Sequence, residues 1–205
     1  MNRTVQLLNI MYAPRLYAHA DHWPESFGAA RDQLPASLAN QWLIEMHGLP
    51  TGLDFDVPND PLLQPCIEHW QRLPRICQLI GAQCLRGVLM HAAHCARLDS
   101  VCRHFLFLPV PMVRATGFCL PTDCDDATLE ATMLRAGLTH ISGLLQRLPN
   151  ALRQRLKLLF PHALEECVRR IDAVAVAEKR AGTAMSLTLF LLAVHHALSE
   201  PSAVP

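Results

Sequence analysis

Cysteine and histidine side chains, which are common metal ligands, cluster in the middle of the chain between positions 84 and 104. The set comprises Cys84, His91, His94, Cys95, Cys102 and His104. On one continuous α-helix, Cys84 and Cys102 would share a stripe but lie roughly 27 Å apart, at about 1.5 Å rise per residue. Only His91 and Cys95 are then close enough to share an ion, and no C-x2-C pair supplies the missing ligands. We therefore interpret the set as core thiols and partly buried histidines, and expect no metal or other cofactor.

The chain carries no recognisable catalytic motif. The patterns G-x-S-x-G, H-E-x-x-H, G-x-x-x-x-G-K-[ST] and G-x-G-x-x-G are all absent from the sequence. Asp123, Asp125 and Asp126 form an acidic group with the chemistry to bind a cation, but acids that precede a helix more often cap it. We predict a protein that is not an enzyme and has no small-molecule substrate.

The composition indicates a folded protein with no net charge. The chain has 205 residues, of which 51% are hydrophobic, enough for the core of one domain. Lys and Arg number 18, as do Asp and Glu, so the basic surplus on which nucleic-acid binding depends is missing. Residues 1–70 nevertheless hold three basic residues against eight acids, net −5, whereas residues 135–180 hold nine against four, net +5. This asymmetry either steers a docking partner or is neutralised within the fold, and the sequence leaves both open.

The N-terminus and the cysteines predict the compartment. The chain begins with a partly apolar stretch, but Gln6 and Asn9 interrupt it and Pro14 separates it from a cleavage-like site. The last apolar run, residues 184–198, is too short to cross a bilayer. The eight cysteines are expected to stay reduced, because a chain of this apolar content does not need cross-links. We expect a cytoplasmic protein with no direct membrane insertion.

Apolar periodicity and helix-ending residues predict helices along most of the chain. Ser37 is the expected cap of a helix that Gly48 ends, and Pro74 opens a long apolar helix. Asp125 or Asp126 caps another. The predicted helices cover residues 38–47, 61–70, 74–93, a further stretch to about 107, 126–148, 150–161, 161–180 and 183–198. The chain is therefore expected to be mainly α, a single compact multi-helix domain.

Little β-structure is expected. Only residues 3–12, 55–57 and 118–120 are suited to an extended conformation, so at most a small ribbon forms. No repeat or long linker divides the chain, and we predict one domain over residues 1–205. The proline-rich segment 109–124 is the best candidate for a hinge or a surface loop.

A short segment near the start has the pattern P-x2-Y-x-H-x4-P, formed by Pro14, Tyr17, His19 and Pro24. Pro14 fixes its own φ and Pro24 stops the segment. Tyr17 and His19 face the same way if the segment is extended. The residues by themselves indicate a short anchored arm.

Three stretches of the chain together resemble the SctK family of type III secretion proteins, which includes YscK, PscK, MxiK and OrgA-like proteins. The first is the pattern formed by Pro14, Tyr17, His19 and Pro24. The second is an apolar stretch with glycine and arginine at 73–106, and the third is a leucine-rich basic stretch that ends at a proline, at 144–161. The segment 109–124 departs from the family. The resemblance implies a non-enzymatic adaptor of the cytoplasmic sorting platform, peripheral to the inner membrane. In this role it links the C-ring-like pod protein SctQ to the cytoplasmic domain of the ring protein SctD.

The basic stretch is the predicted partner-binding region. Its candidate contacts are Arg147, Arg153, Arg155 and Lys157, and leucines at helical spacing give the segment a second, apolar face. The charges are expected to face solvent. Reversing Arg153 and Arg155 to Glu is then expected to weaken partner binding without lowering the melting temperature. An ordinary solvated face is the other interpretation.

A second class of function remains open, a cytoplasmic thiol- or metal-dependent regulatory domain built on the region from Cys84 to His104. Stoichiometric zinc in the purified protein, lost on Cys84→Ser or His91→Ala, would indicate this second function. Zinc-free protein would favour the adaptor.

Overall fold

The computed structural model describes residues 3–53, 61, 63–110, 124–174 and 187–199. The chain divides into two compact units. The first unit consists of Met1–Gln71 and Leu144–Ala177, and the second unit of Arg72–Gly143 and Glu178–Pro205. The organisation as one domain stays a prediction, and most of the suggested hinge or loop at 109–124 lies outside the described residues.

The described residues form helices and turns, with no strand among them, so the prediction of a mainly α protein is confirmed. The α-helices are α1 (Arg3–Tyr12), α2 (Ala36–Met46), α3 (Leu63–Glu68), α4 (Leu73–Cys84), α5 (Arg86–Leu89), α6 (Ala92–Cys95), α7 (Ser100–Leu106), α8 (Asp126–Leu145), α9 (Asn150–Leu156), α10 (Glu165–Val174) and α11 (Leu187–Ser199). Short 3-10 helices lie at Pro14–Leu16, Ala20–His22, Glu25–Gln33, Trp70–Arg72, Lys157–Leu159 and His162–Leu164. Residues 55–57 and 118–120, two of the suggested extended stretches, lie outside the described ranges.

The third suggested extended stretch, residues 3–12, is in fact helix α1. Its buried side chains recur at helical spacing, since Gln6 and Ile10 lie one turn apart. Gln6 Nε2 donates a hydrogen bond to the Glu68 carbonyl oxygen at 3.3 Å, and Met11 is fully buried. A strand would have buried alternate residues instead, so the contacts of α1 with its neighbours select the helix.

In the first unit, α1 packs against α2, α3 and α9. Helix α2 begins at Ala36, after Pro35, so the expected cap at Ser37 is wrong. The Pro35 carbonyl accepts the Ala39 N–H at 3.0 Å, and this is the first bond of the helix. Ser37 therefore lies within the first turn, past the capping position. Gly48, at φ +57°, follows the helix as predicted, in the left-handed region that glycine tolerates best.

In the second unit, α4 and α8 approach closely through two glycines. A Cβ at Gly81 would lie 1.8 Å from the Met133 carbonyl oxygen, and a Cβ at Gly137 would lie 1.8 Å from the Cys77 carbonyl oxygen. Neither glycine can therefore be replaced by a larger residue without moving the backbone of the other helix. By contrast, nothing lies within 4 Å of a Cβ placed on Gly143.

The predicted long helix over residues 74–93 is interrupted. Helix α4 ends at Cys84, α5 is a single turn, and His91 is extended at φ −63° and ψ 134° before α6 begins. On one straight helix, Leu85 and Leu98 would lie on different faces, yet both are buried. The interruptions therefore let buried side chains on either side of them face inward, which one straight helix would not allow.

Two helix starts in the second unit follow the local rules for capping. Asp125 caps α8, since its side chain accepts the Thr128 N–H at 2.7 Å. Asp99 caps α7 by accepting the N–H groups of Val101 and Cys102. Within the described residues, no helix is both long and apolar enough to cross a membrane.

Candidate functional site

The segment 14–24, which we call the motif segment, is a series of tight turns rather than an extended arm. Pro14 is buried at the start of the first 3-10 turn. The Tyr17 hydroxyl donates to the Ile10 carbonyl oxygen at 2.8 Å, and its ring meets Trp70 edge to face at 6.2 Å. The His19 N–H donates to the Leu158 carbonyl oxygen at 2.7 Å. The motif segment is thus anchored in the first unit, and one of its anchors lies in the stretch 144–161, which we call the basic segment.

Arg155 of the basic segment is buried, so the expectation that it faces solvent is wrong. Its side chain is 0% exposed. The guanidinium donates to the carbonyl oxygens of Ala151 at 2.8 Å, Met11 at 2.9 Å and Pro50 at 2.7 Å. These bonds connect α9 to α1 and to the chain after α2, and they compensate for the loss of water around the charge. Arg155 therefore belongs to the fold.

Burial also governs the protonation of Arg155 and of the neighbouring Tyr17. Loss of water lowers the pKa of Arg155 from its ordinary value, and the nearby Tyr17 opposes that effect. Burial raises the pKa of Tyr17 well above its usual range, while Arg155 acts in the other direction. The tyrosine of the motif segment and an arginine of the basic segment are therefore neighbours in one buried polar group.

The other three basic residues are placed differently from one another. Arg147 is exposed. Arg153 is half-buried, and its Nη1 donates to the Gln146 carbonyl oxygen at 2.9 Å across the break at Pro149. Lys157 is also half-buried, with Nζ 3.3 Å from the carbonyl oxygen of His47. The four candidates do not form one exposed basic face, and partner binding by Arg147, Arg153 and Lys157 stays a prediction.

A histidine cluster lies where the motif segment meets the end of the basic segment. The His22 ring centroid is 5.2 Å from that of His47 and 4.5 Å from that of His162. His22 is buried, and its Nε2 donates to the Phe160 carbonyl oxygen at 2.9 Å. Burial lowers the pKa of both His22 and His47, so both favour the neutral form. The sequence analysis missed this cluster because its members come from three distant stretches and share no local pattern.

An open pocket of about 520 Å³ begins beside this cluster. It is lined by Ala20, Asp21, Trp23, Pro24, Glu25, Phe27, Arg31 and His162. Trp23 stacks on Trp42 at 5.9 Å between centroids, and the Arg31 guanidinium carbon lies 4.9 Å from the Trp23 ring centroid. The pocket therefore combines aromatic rings with charges of both signs, and Pro24 of the motif segment forms part of its wall.

The cysteine and histidine set of the second unit is dispersed. Cys84, His94 and Cys102 are buried, whereas His91 and His104 are exposed. Over the described residues, no three side chains of His, Cys, Asp or Glu are arranged to hold a metal ion. The seven described cysteines are in the thiol form. Burial raises the pKa of Cys84 to about 11, which disfavours the reactive thiolate.

The acidic group before α8 is taken up by helix capping and an ion pair. Asp125 caps the helix, and Asp126 forms an ion pair with Arg97 at 2.6 Å. Asp123 lies outside the described residues. The two described acids therefore act in the way expected of acids at a helix start.

Comparison with known proteins gives a consistent result over almost the whole chain. A family model described as "Bacterial type III secretion apparatus protein (OrgA_MxiK)" matches residues 7–199. The chain is 28% identical over 200 residues to the oxygen-regulated invasion protein OrgA of Salmonella typhimurium strains SL1344, LT2 and 14028s. These alignments cover 96% of this chain and 88% of the relatives' length. No solved structure matches significantly.

Proposed function

Because the chain belongs to the OrgA/MxiK family of bacterial type III secretion apparatus proteins, we propose that it is a non-enzymatic adaptor of the cytoplasmic sorting platform. In this role it links the C-ring-like pod protein SctQ to the cytoplasmic domain of the inner-membrane ring protein SctD, and it reaches the inner membrane through these protein contacts. The family match over residues 7–199 carries the proposal.

An exposed apolar stripe on α1 supports an adaptor role. Val5, Leu8 and Tyr12 lie three and four residues apart on one face of the helix, and they are 45%, 40% and 40% exposed. The opposite side of α1 is buried in the first unit, through Gln6 and Ile10. Contiguous exposed apolar side chains are typical of protein–protein interaction sites. The stripe therefore offers a partner a surface on a firmly packed helix.

The charge asymmetry supports docking only in part. Within the positively charged stretch, Arg155 is buried against carbonyl groups, and Arg169 and Arg170 pair with Glu166 on α10. Those charges are thus partly neutralised inside the first unit. The acidic residues of the stretch 1–70 include Glu25 and Glu45, which are exposed and available to a basic partner.

The test is reconstitution from purified proteins. This chain, the SctQ protein and the cytoplasmic domain of SctD from the same organism are mixed in pairs and all together, then separated by size-exclusion chromatography. We expect SctQ and SctD to co-elute only when this chain is present. If the chain binds neither protein, the adaptor proposal is wrong.

A variant series connects the test to the α1 surface. Leu8→Asp places a charge in the exposed stripe and is expected to weaken at least one of the two pairwise complexes by tenfold or more, since central apolar contacts dominate interfaces. Ser37→Asp is the matched control, because it adds the same charge at an exposed position on α2. Both variants should keep the helical circular dichroism of the wild type. Equal weakening by both would indicate a general charge effect and not an α1 interface.

A further inference from the structure

We propose that the pocket beside Trp23 binds an arginine side chain of a partner protein, and that Arg31 lies on the same ring until the incoming guanidinium replaces it. The identity of the partner as a secretion-apparatus subunit rests on the proposed function, whereas the chemistry of the pocket does not.

The size and lining of the pocket suit a long side chain with a planar charged end. Its volume of about 520 Å³ lies in the range of ligand-binding pockets, and it is open to solvent. Trp23 and Phe27 contribute apolar surface to the pocket, and the acidic residues Asp21 and Glu25 line it as well. Aromatic surfaces beside carboxylates are the environment that a guanidinium prefers.

The Trp23 ring already accepts a guanidinium. Arg31 lies over it with its guanidinium carbon 4.9 Å from the ring centroid, within the range of a cation–π contact. Trp23 is held rigidly, because it is 93% buried and stacks on Trp42 with a tilt of 18°. The ring is therefore fixed in place for a second guanidinium that approaches as Arg31 does.

The contact of Arg31 is readily reversible. Among the described residues, no carboxylate forms an ion pair with Arg31, and the side chain is only half-buried. Cation–π contacts near solvent are weak, so an arginine that is held by additional bonds can displace one that is not.

The acidic residues of the pocket favour a positively charged ligand. Asp21 already accepts the His162 N–H at 3.0 Å and lies 3.2 Å from His19. Glu25 is exposed, and no described residue pairs with it. When Arg31 leaves, two acidic residues, Asp21 and Glu25, remain in the described lining, and a second guanidinium replaces the positive charge that has left. A guanidinium also stacks on the ring while donating two parallel hydrogen bonds to a carboxylate, which lysine cannot do.

The first experiment uses a minimal probe on the full chain. N-acetyl-arginine amide is titrated into ¹⁵N-labelled protein, and the indole N–H signal of Trp23 is followed. That signal is assigned among the three tryptophans from the spectra of Trp23→Phe and Trp42→Phe. The control ligand is N-acetyl-citrulline amide, which keeps the shape of arginine but has no charge. We expect millimolar binding of the arginine probe, and binding at least fivefold weaker for citrulline.

Two variants separate the pocket from unspecific charge effects. Arg31→Ala should bind the probe about two- to fivefold more tightly than the wild type, because it removes the guanidinium that covers the Trp23 ring. Glu25→Gln should bind the probe about two- to fivefold more weakly, because it removes a negative charge from the pocket. Glu45→Gln, which removes an exposed carboxylate on α2 that does not line the pocket, should leave binding unchanged. Equal binding of arginine and citrulline, or no gain from Arg31→Ala in a variant that melts like the wild type, would overturn the proposal.

The same variants are then tested with SctQ and the cytoplasmic domain of SctD. We expect Arg31→Ala to strengthen and Glu25→Gln to weaken one of these complexes. If both complexes form with unchanged affinity in both variants, the arginine does not come from these subunits and that part of the proposal is wrong, although the adaptor role stands. If the probe binds as expected but neither subunit does, the adaptor role fails and the arginine pocket stands.

Discussion

Arg155 allows a quantitative test of how the motif segment and the basic segment are held together. Its guanidinium donates to three carbonyl oxygens, of which Met11 and Pro50 are distant in sequence. Arg155→Ala leaves those two carbonyls without their donor, at a cost of about 1–3 kcal/mol each. The two orphaned carbonyls together therefore cost about 2–6 kcal/mol, and we take the middle of that range. We therefore expect Arg155→Ala to lower the free energy of unfolding by about 3–5 kcal/mol, a large part of the stability of a typical domain.

The assay is urea unfolding followed by far-UV circular dichroism at fixed pH. Arg155→Lys should fall between the wild type and Arg155→Ala, because an ammonium keeps the charge but lacks the planar fork of donors. Arg147→Ala, at an exposed position of the same segment, is the matched control and should change the free energy of unfolding by less than about 0.5 kcal/mol. A loss below about 1 kcal/mol for Arg155→Ala would refute the reasoning. By the same logic the double reversal of Arg153 and Arg155 to Glu should prevent folding, contrary to the expectation from sequence.

Three further predictions follow from the packing and the pKa shifts. Gly81→Ala should destabilise the protein by more than about 2 kcal/mol in urea unfolding, because its Cβ would overlap a backbone carbonyl of α8. Gly143→Ala has open space around the new methyl group and should stabilise α8 by about 0.5–1 kcal/mol. Because burial lowers the pKa of His22 and His47 below 6.5, the unfolded chain binds protons first as the pH falls. Stability should therefore be constant above about pH 7 and decline below 6.5, and His22→Asn should reduce this decline in unfolding measured between pH 7.5 and 5.5. Burial raises the pKa of Cys84 to about 11, so this thiol should react with a thiol reagent at pH 8 far more slowly than the half-exposed cysteines. The reaction is followed by mass spectrometry of labelled peptides, and equal rates would contradict the burial of Cys84.

The sequence determined those features that depend on neighbouring residues. Apolar periodicity predicts the helical class and most helix positions, but residues 3–12, which are suited to an extended conformation, form helix α1, and the helix after Pro74 is shorter than the pattern predicts. Pro149 separates α8 from α9, Gly48 follows α2, and Asp125 caps α8, each by a backbone or side-chain interaction within a few residues. The family resemblance likewise depended on short local patterns, and the family match confirms it.

Only the tertiary structure decided which charged and aromatic residues are buried or meet. Arg155 has the sequence context of an exposed helix face, yet it lies within reach of carbonyls more than a hundred residues away. The contact of His22 with His162 is equally invisible in the sequence, because it joins elements whose separation depends on how the first unit closes. Helical spacing specifies a face of a helix, whereas burial of that face depends on which element packs against it. For this reason the basic segment was recognised from sequence while the role of its central arginine was not.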